Sequence, residues 1–325
     1  MKQHIVLLFH SVDDRDLMSF KDLGNVRPEN FEKLLITLKN EFDIVKLEDI
    51  IETNSGKTER RGRLLAVTFD DGPKSYALNA VPVMESLNIP SKCFLITDCV
   101  GDREVYWRYL YNFCIYRGYG DGLAELIKGE YKTSVSEGEI ISFTRSNYDK
   151  DKNSNIVNNI FARIVPEEEY RREEQDLFLS YEDIEALKKN PLVSFGIHTC
   201  THPVMLGLNN EEIYDEISHS LDFYKRWVKD DIPAFSIPFG RLYRDYDERT
   251  INIARSLSIK TLLSAYGGGN RMGQPAYNIR RFPVHEGILK NGLDSFIVML
   301  KELTVASEYV EKEQRLNEAI SNVQT

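Results

Sequence analysis

Asp70 and Asp71 stand side by side at the end of the apolar run Leu64-Leu65-Ala66-Val67-Thr68-Phe69, and Gly72-Pro73 follows at once. A second short apolar run, Val193-Ser194-Phe195-Gly196-Ile197, ends in His198, with His202 four residues on. Two carboxylates and two imidazoles delivered by two strands to one place are enough to hold a divalent metal and keep one carboxylate free for proton transfer. Six histidines in 325 residues make such a pair uncommon by chance. Residues four apart in a strand-exit loop can approach one ion. Neighbours at a strand end point in different directions, so Asp70 and Asp71 can take different tasks. Taken singly, each motif also has a plainer reading: an acidic turn and a solvated histidine pair.

The elements that must carry these residues alternate between strand and helix. Ile5-Val6-Leu7-Leu8-Phe9 reads as a first strand ending at His10. Over 28–42, Phe31, Leu34, Leu35, Leu38 and Phe42 recur at helical spacing, and Pro28 suits the first turn. A short strand at Ile44-Val45, a helix over 47–52 and a polar loop over 54–63 follow. The strand at 64–69 leads to a helix near 76–87 and a strand over 93–96.

Regularity then breaks over 98–178, a stretch that holds Trp107 and a Tyr/Phe-rich segment over 106–116. It is too long for a bare loop and reads as a mostly helical insertion, either a wall of a substrate pocket or a packing element. Alternation resumes at Ser180, an N-cap with Asp183 three residues on. Strands are expected at 193–197, 234–237, 261–263 and 278–284, with helices over 211–228, 248–257 and 293–306. The expected division is a first catalytic part at 1–97, the insertion at 98–178, a second catalytic part at 179–306 and a charged tail at 307–325. Strand–helix units with chemistry at strand ends predict a parallel α/β sheet or barrel.

The bulk numbers narrow the partners. At 42% hydrophobic, 325 residues can bury one large core or two modest ones. A net charge of -10 argues against nucleic acid. The 17 Tyr and 16 Phe suit a carbohydrate groove and equally an ordinary core. No apolar stretch approaches the ~18–20 residues that cross a bilayer, so no membrane span is expected. The first apolar run is too short for a signal-peptide core. Cys93, Cys99, Cys114 and Cys200 form no CxxC pair. The expectation is a cytoplasmic protein with free thiols. Cys200, between the histidines, reads as a small filler. Nothing in the sequence bears on oligomeric state.

Thr68-Phe69-Asp70-Asp71-Gly72 resembles the first motif of the polysaccharide deacetylase family, the NodB-homology carbohydrate esterases. His198-Thr199-Cys200-Thr201-His202 is similar to its second motif, His-(Ser/Thr)-x-x-His. Phe235-Ser236-Ile237-Pro238-Phe239-Gly240 resembles the third. Leu8-Phe9-His10-Ser11-Val12 resembles the Tyr-His-x-Val opening of the branch related to poly-N-acetylglucosamine deacetylases. Order and spacing hold from about residue 4 to 285, apart from the insertion.

The resemblance implies a distorted (β/α) barrel of the NodB-homology type, with fewer than eight regular units. It implies a divalent metal, usually zinc, held by Asp71, His198 and His202, with Asp70 as general base toward water. The oxyanion would rest on the metal and the Phe239 N–H, within Pro238-Phe239-Gly240, while a general acid protonates the leaving amine. The substrate implied is a carbohydrate bearing an N-acyl group, and the reaction is removal of an N-acetyl group from an acetamido sugar or glycan intermediate. Two other readings stand beside it: an amidase or deformylase on another small amide, and an inactive glycan-binding homologue.

The chain departs from the pattern in two places. Many members carry Arg two residues before the Pro of the third motif, to orient the base; Ser236 stands there, and Arg281 is the candidate substitute. No clear Leu-x-His motif lies near the C-terminus. The branch with the Tyr-His-x-Val opening places that histidine at the site, so the resemblance implies His10 first and His285 second as general acid, while His4 and His219 are expected to be structural or surface residues.

Overall fold

The computed structural model describes residues 3–322 apart from Asp22, Arg61 and Asp230. Residues 1–2 and 323–325, the extremes of the first and last expected segments, lie outside the described residues. Among the described residues, seven strands form the path of the main sheet, in chain order β1 (Ile5–Phe9), β2 (Leu64–Phe69), β3 (Ser91–Leu95), β4 (Val193–Ile197), β5 (Phe235–Ser236), β6 (Leu262–Leu263) and β7 (Phe282–Pro283). In space the order is β7-β1-β2-β3-β4-β5-β6, and the two-residue strand Asp43–Ile44 adds to β2. All of these pairings are parallel.

The segment entering β7 joins the two edges. Ile279 N donates to Leu262 O at 2.9 Å, Ser264 N donates to Ile279 O at 2.9 Å, and Phe282 lies opposite Leu7. The sheet thereby curls into a distorted (β/α) barrel. The strand expected over 278–284 is short because its residues serve these two partners in turn.

Residues 64–69 are buried throughout and apolar apart from Thr68, whose hydroxyl donates to Leu7 O at 2.7 Å, as a parallel strand covered on both faces requires. Leu65, Val67 and Phe69 join the large core that includes the helices, while Leu64 and Ala66 join a smaller cluster with Val6, Phe94, Leu263 and Ile279. By the two-residue period of a strand, Asp70 continues the inward set.

The helix Pro28–Glu41 has Pro28 in its first turn and buries Phe31, Leu34, Leu35 and Leu38. The helix expected near 76–87 is two pieces, a π-helical turn over Tyr76–Ala80 and an α-helix over Val81–Ser86. Pro82 has no N–H to continue the ladder across the join. The residues after 306 form the helix Ser307–Asn322, which buries Leu316 and Ile320. No described helix is long and apolar enough to cross a membrane.

Between β3 and β4 lie the helices Trp107–Arg117, Gly120–Tyr131, Ile140–Ser146, Lys150–Arg163 and Glu167–Glu173. Their apolar residues, among them Leu110, Phe113, Leu123, Ile127, Ile156 and Ile160, belong to the same continuous core as the barrel's outer face. The stretch returns beside the end of β2: Leu179 N donates to Gly72 O at 2.9 Å and Lys74 N to Leu177 O at 2.8 Å. The insertion therefore leans on the turn that carries Asp70 and Asp71.

Candidate active site

The parallel register sets the candidate residues at the carboxyl ends of the strands, where barrels of this kind expose their loops. Phe9 pairs with Phe69, so His10 and Asp70 are the next residues on adjacent strands, and Asp70 N donates to Phe9 O at 2.9 Å. Leu95 pairs with Ile197, and His198 N donates to Leu95 O at 2.8 Å. A cleft of about 990 Å³ opens over these ends and is lined by His10, Asp70, Asp71, His198, His202, Phe239 and His285, among others.

The turns after the strands are backbone-strained. Asp71 (φ 71°), Thr199 (φ 65°), His202 (φ 57°) and Phe239 (φ 59°) all occupy the left-handed region without being glycine. Such positions cost roughly 1–3 kcal/mol each and persist only where surrounding contacts impose them. Gly240 follows at φ 67°, and a Cβ there would lie 2.6 Å from Ala265 N, so the third motif must end on glycine.

Glu216 supplies the contacts for the histidine turn. This buried carboxylate, from the helix Asn210–Trp227, accepts the N–H groups of Cys200 and Thr201, each at 3.0 Å, and the Thr201 hydroxyl at 2.7 Å. Thr199 Oγ1 accepts His202 N at 3.0 Å. Cys200 points away from the imidazoles, its thiol 3.6 Å from Glu216 O.

Asp71, His198 and His202 converge. Asp71 Oδ1 lies 3.4 Å from His198 Nε2 and 3.6 Å from His202 Nε2. Among the described residues these three form the one cluster with metal-ligand spacing, and all three are buried. Each uses its remaining polar atom on a fixed partner. His198 Nδ1 sits 2.7 Å from Ser236 O, Tyr106 Oη sits 2.9 Å from His202 Nδ1 and 3.4 Å from its Nε2, and Tyr109 Oη donates to Asp71 Oδ2 at 3.2 Å. Asp71 Oδ1 is left buried with no hydrogen-bond partner. An orphaned carboxylate oxygen facing two imidazole nitrogens fits a divalent cation.

Asp70 is built differently. Arg281, fully buried, grips it with Nη1 to Oδ1 at 2.6 Å and Nη2 to Oδ2 at 2.8 Å. The Ser236 hydroxyl donates to Asp70 Oδ2 at 3.0 Å and accepts from Arg281 Nη2 at 2.7 Å. The guanidinium missing from position 236 thus arrives from position 281.

The electrostatics follow from these contacts. Burial alone would raise the Asp70 carboxyl, but Arg281 and then His198 outweigh it and hold it below the usual carboxylate range. Burial likewise opposes ionisation of Asp71, and the adjacent imidazoles of His198 and His202 override it. Burial and the neighbouring His198 push His202 down to about 3, while Asp70 and Asp71 overcome burial to raise His198.

The remaining candidates are spread around the cleft. A Cβ on Gly24 would lie 3.5 Å from His10 Nδ1 and 3.6 Å from His285 Cβ, so the two histidines flank one loop. His10 is half-buried and its charge is felt by both Asp70 and Asp71, whereas His285 is exposed. Pro238 and Gly240 are buried, and among the described residues no hydrogen bond engages the Phe239 N–H. His4 is a buried structural residue whose Nδ1 accepts Leu64 N at 3.2 Å, and His219 is exposed on its helix. Tyr106, Tyr109 and Glu216 were not singled out by the sequence reading; the aromatic run over 106–116 signals the two tyrosines, and no local pattern signals Glu216.

The family model for polysaccharide deacetylase matches residues 57–262, which span the three central motifs and exclude His10, Arg281 and His285. No curated protein matches the chain in sequence. The fold is similar to that of IcaB from Ammonifex degensii, with TM-score 0.62 and 17% identity over 93% of this chain and 98% of that one. It is similar to the Streptococcus pyogenes deacetylase PplD, solved with acetate, at TM-score 0.60 and 14% identity over 91% and 98%. It is also similar to the de-N-acetylase from Aggregatibacter actinomycetemcomitans, at TM-score 0.57 and 12% identity over 89% and 99%. With the family model covering well over half of its length, the chain belongs to the polysaccharide deacetylase family.

Proposed function

We propose that the protein is a metal-dependent N-deacetylase of the branch related to poly-N-acetylglucosamine deacetylases, acting on an acetamido sugar or glycan intermediate in the cytoplasm. The observation that carries the metal is Asp71 Oδ1, buried without a partner and turned toward two imidazole Nε2 atoms. Asp71, His198 and His202 would hold the cation, and their imidazole-and-carboxylate donor set suits zinc. When bound, such a cation supplies Lewis acidity toward an acyl carbonyl and lowers the pKa of a water.

The chain's own residues do the rest. Asp70 stays ionised at neutral pH and takes the proton of the attacking water. Arg281 and Ser236 fix both its oxygens, so the base does not swing onto the cation. The Phe239 N–H, engaged by no hydrogen bond among the described residues, donates to the oxygen that becomes negative as the acyl carbon turns tetrahedral. His10 gives a proton to the leaving amine; its proximity to both carboxylates favours it over His285. The amine departs free and the acyl group leaves as acetate.

The test is acetate release from N-acetylated glucosamine oligomers and from nucleotide-linked N-acetyl sugars, on protein of measured metal content. Acetate formed in proportion to bound metal supports the reading. Formate release from N-formyl substrates alone would move it to a deformylase, and glycan binding without any acyl release would make it a binding protein.

A further inference from the structure

Three ligand atoms face the centre of the candidate metal site, and among the described residues the barrel hydrogen-bonds one of the three side chains behind them, His198, through Ser236 O. The other two ties come from the insertion, through Tyr106 on His202 and Tyr109 on Asp71. Two more contacts run the same way. Trp107 Nε1 donates to His202 O at 3.1 Å, and Lys150 Nζ reaches Glu216 Oε1 at 3.3 Å, beneath the Cys200–Thr201 backbone. We propose that the helical insertion is the metal-retention element of this enzyme: Tyr106 and Tyr109 are positioning residues that present His202 and Asp71 as ligands, and an occupied site in turn fastens the insertion to the barrel. This rests on the metal reading above.

A free carboxylate rotates and can offer either oxygen, and a free imidazole can flip. Tyr109 holds Oδ2, so Oδ1 faces the histidines; the Tyr106 hydroxyl lies against the His202 imidazole, 2.9 Å from Nδ1 and 3.4 Å from Nε2, and with Trp107 on His202 O it keeps the ring in place. Ligands fixed in this way give up less freedom when they bind, and partners of this type typically carry about 10- to 100-fold in metal affinity. Coupling of this kind is reciprocal: whatever the insertion contributes to holding the ion, the ion contributes to holding the insertion. Both hydroxyls are buried beside the site, and Tyr106 also lines the cleft.

The experiment measures zinc affinity by chelator competition, and the visible spectrum of the cobalt-substituted protein, for the parent, Tyr106→Phe, Tyr109→Phe and Tyr119→Phe. Tyr119 lies in the same insertion, with its hydroxyl on Glu169 at 3.3 Å. The two site variants are expected to bind zinc about 10- to 100-fold more weakly and to shift the cobalt bands. Their metal-free melting temperatures should stay close to the parent's, and Tyr119→Phe should behave as the parent. In parallel, amide exchange of the parent should slow over Trp107–Arg117 when zinc is added, a readout that needs no variant. Parent-like zinc affinity in both site variants, or exchange over Trp107–Arg117 indifferent to zinc in a parent that binds it, overturns the proposal. A parent that binds no divalent metal overturns the metal reading itself.

Discussion

Arg281 and Asp70 meet through a two-pronged ion pair closed off from solvent, with the Ser236 hydroxyl bridging both partners. The guanidinium also donates through Nε to Ser264 O at 3.1 Å and lies 5.6 Å over the Phe94 ring, so its position is set by the barrel interior. Asp70 is therefore an oriented, ionised carboxylate with both oxygens engaged, whereas Asp71 beside it keeps Oδ1 without a hydrogen-bond partner.

Replacing Arg281 by Gln should move the pH profile in a defined direction. Burial disfavours the Asp70 anion and the guanidinium is the leading influence against it. Without it the carboxyl stays protonated to higher pH, so the acidic limb of kcat/KM should shift upward. An unpaired buried carboxylate should also cost about 3–5 kcal/mol of stability. Rate profiles and urea unfolding check both; an unmoved acidic limb would separate Asp70 from the proton transfer.

Asp70→Asn should retain metal and lose about 10²- to 10⁴-fold in turnover, the usual contribution of a positioned base. Acetate release with elemental analysis on the same sample distinguishes this from metal loss. Turnover at the parent rate would remove Asp70 from the mechanism.

Most of this centre is legible in the sequence because its residues lie at strand ends, where a short apolar run announces both the strand and its exit. Asp70, Asp71, His198 and His202 are found that way, and Arg281 by asking what cation could serve a carboxylate next to Ser236. The contacts of Tyr106, Tyr109 and Lys150 are not legible, because they depend on how five helices of the insertion fold back over the barrel. Glu216 sits in the middle of an amphipathic helix, where a carboxylate ordinarily faces water. The strand expected over 278–284 shrinks to Phe282–Pro283 for a related reason: the sequence carries its apolar character but not the division of its hydrogen bonds between β6 and β1.

Glu216→Ala should loosen the histidine turn. It removes the acceptor for two backbone N–H groups and a hydroxyl, and leaves Lys150 without its carboxylate. A loss of about 1–3 kcal/mol is expected from the backbone N–H groups left unsatisfied, with weaker metal binding. Glu216→Gln keeps an acceptor and should recover part of the stability. Urea midpoints for the two variants give the comparison; equal destabilisation would mean that charge, and not the hydrogen bonds, holds the turn.

His4 should impose an acid dependence on folding. Burial lowers its pKa below the ordinary 6.5, and its Nδ1 accepts Leu64 N. The unfolded chain takes up this proton near pH 6.5 and the folded chain only at lower pH. The contribution is therefore complete above about pH 6.5 and declines as pH falls below it. His4→Gln should flatten that decline in urea midpoints measured against pH. Superimposable pH dependences would contradict the assignment.

The central claim is that Asp71, His198 and His202 bind a divalent cation. It is tested most directly by elemental analysis of the parent and of Asp71→Ala after equilibration with zinc and gel filtration. The account predicts about one zinc per chain in the parent, as for a single site with one carboxylate and two imidazole ligands, and essentially none in the variant. A zinc-free parent, or an Asp71→Ala protein that retains as much zinc as the parent, would contradict it.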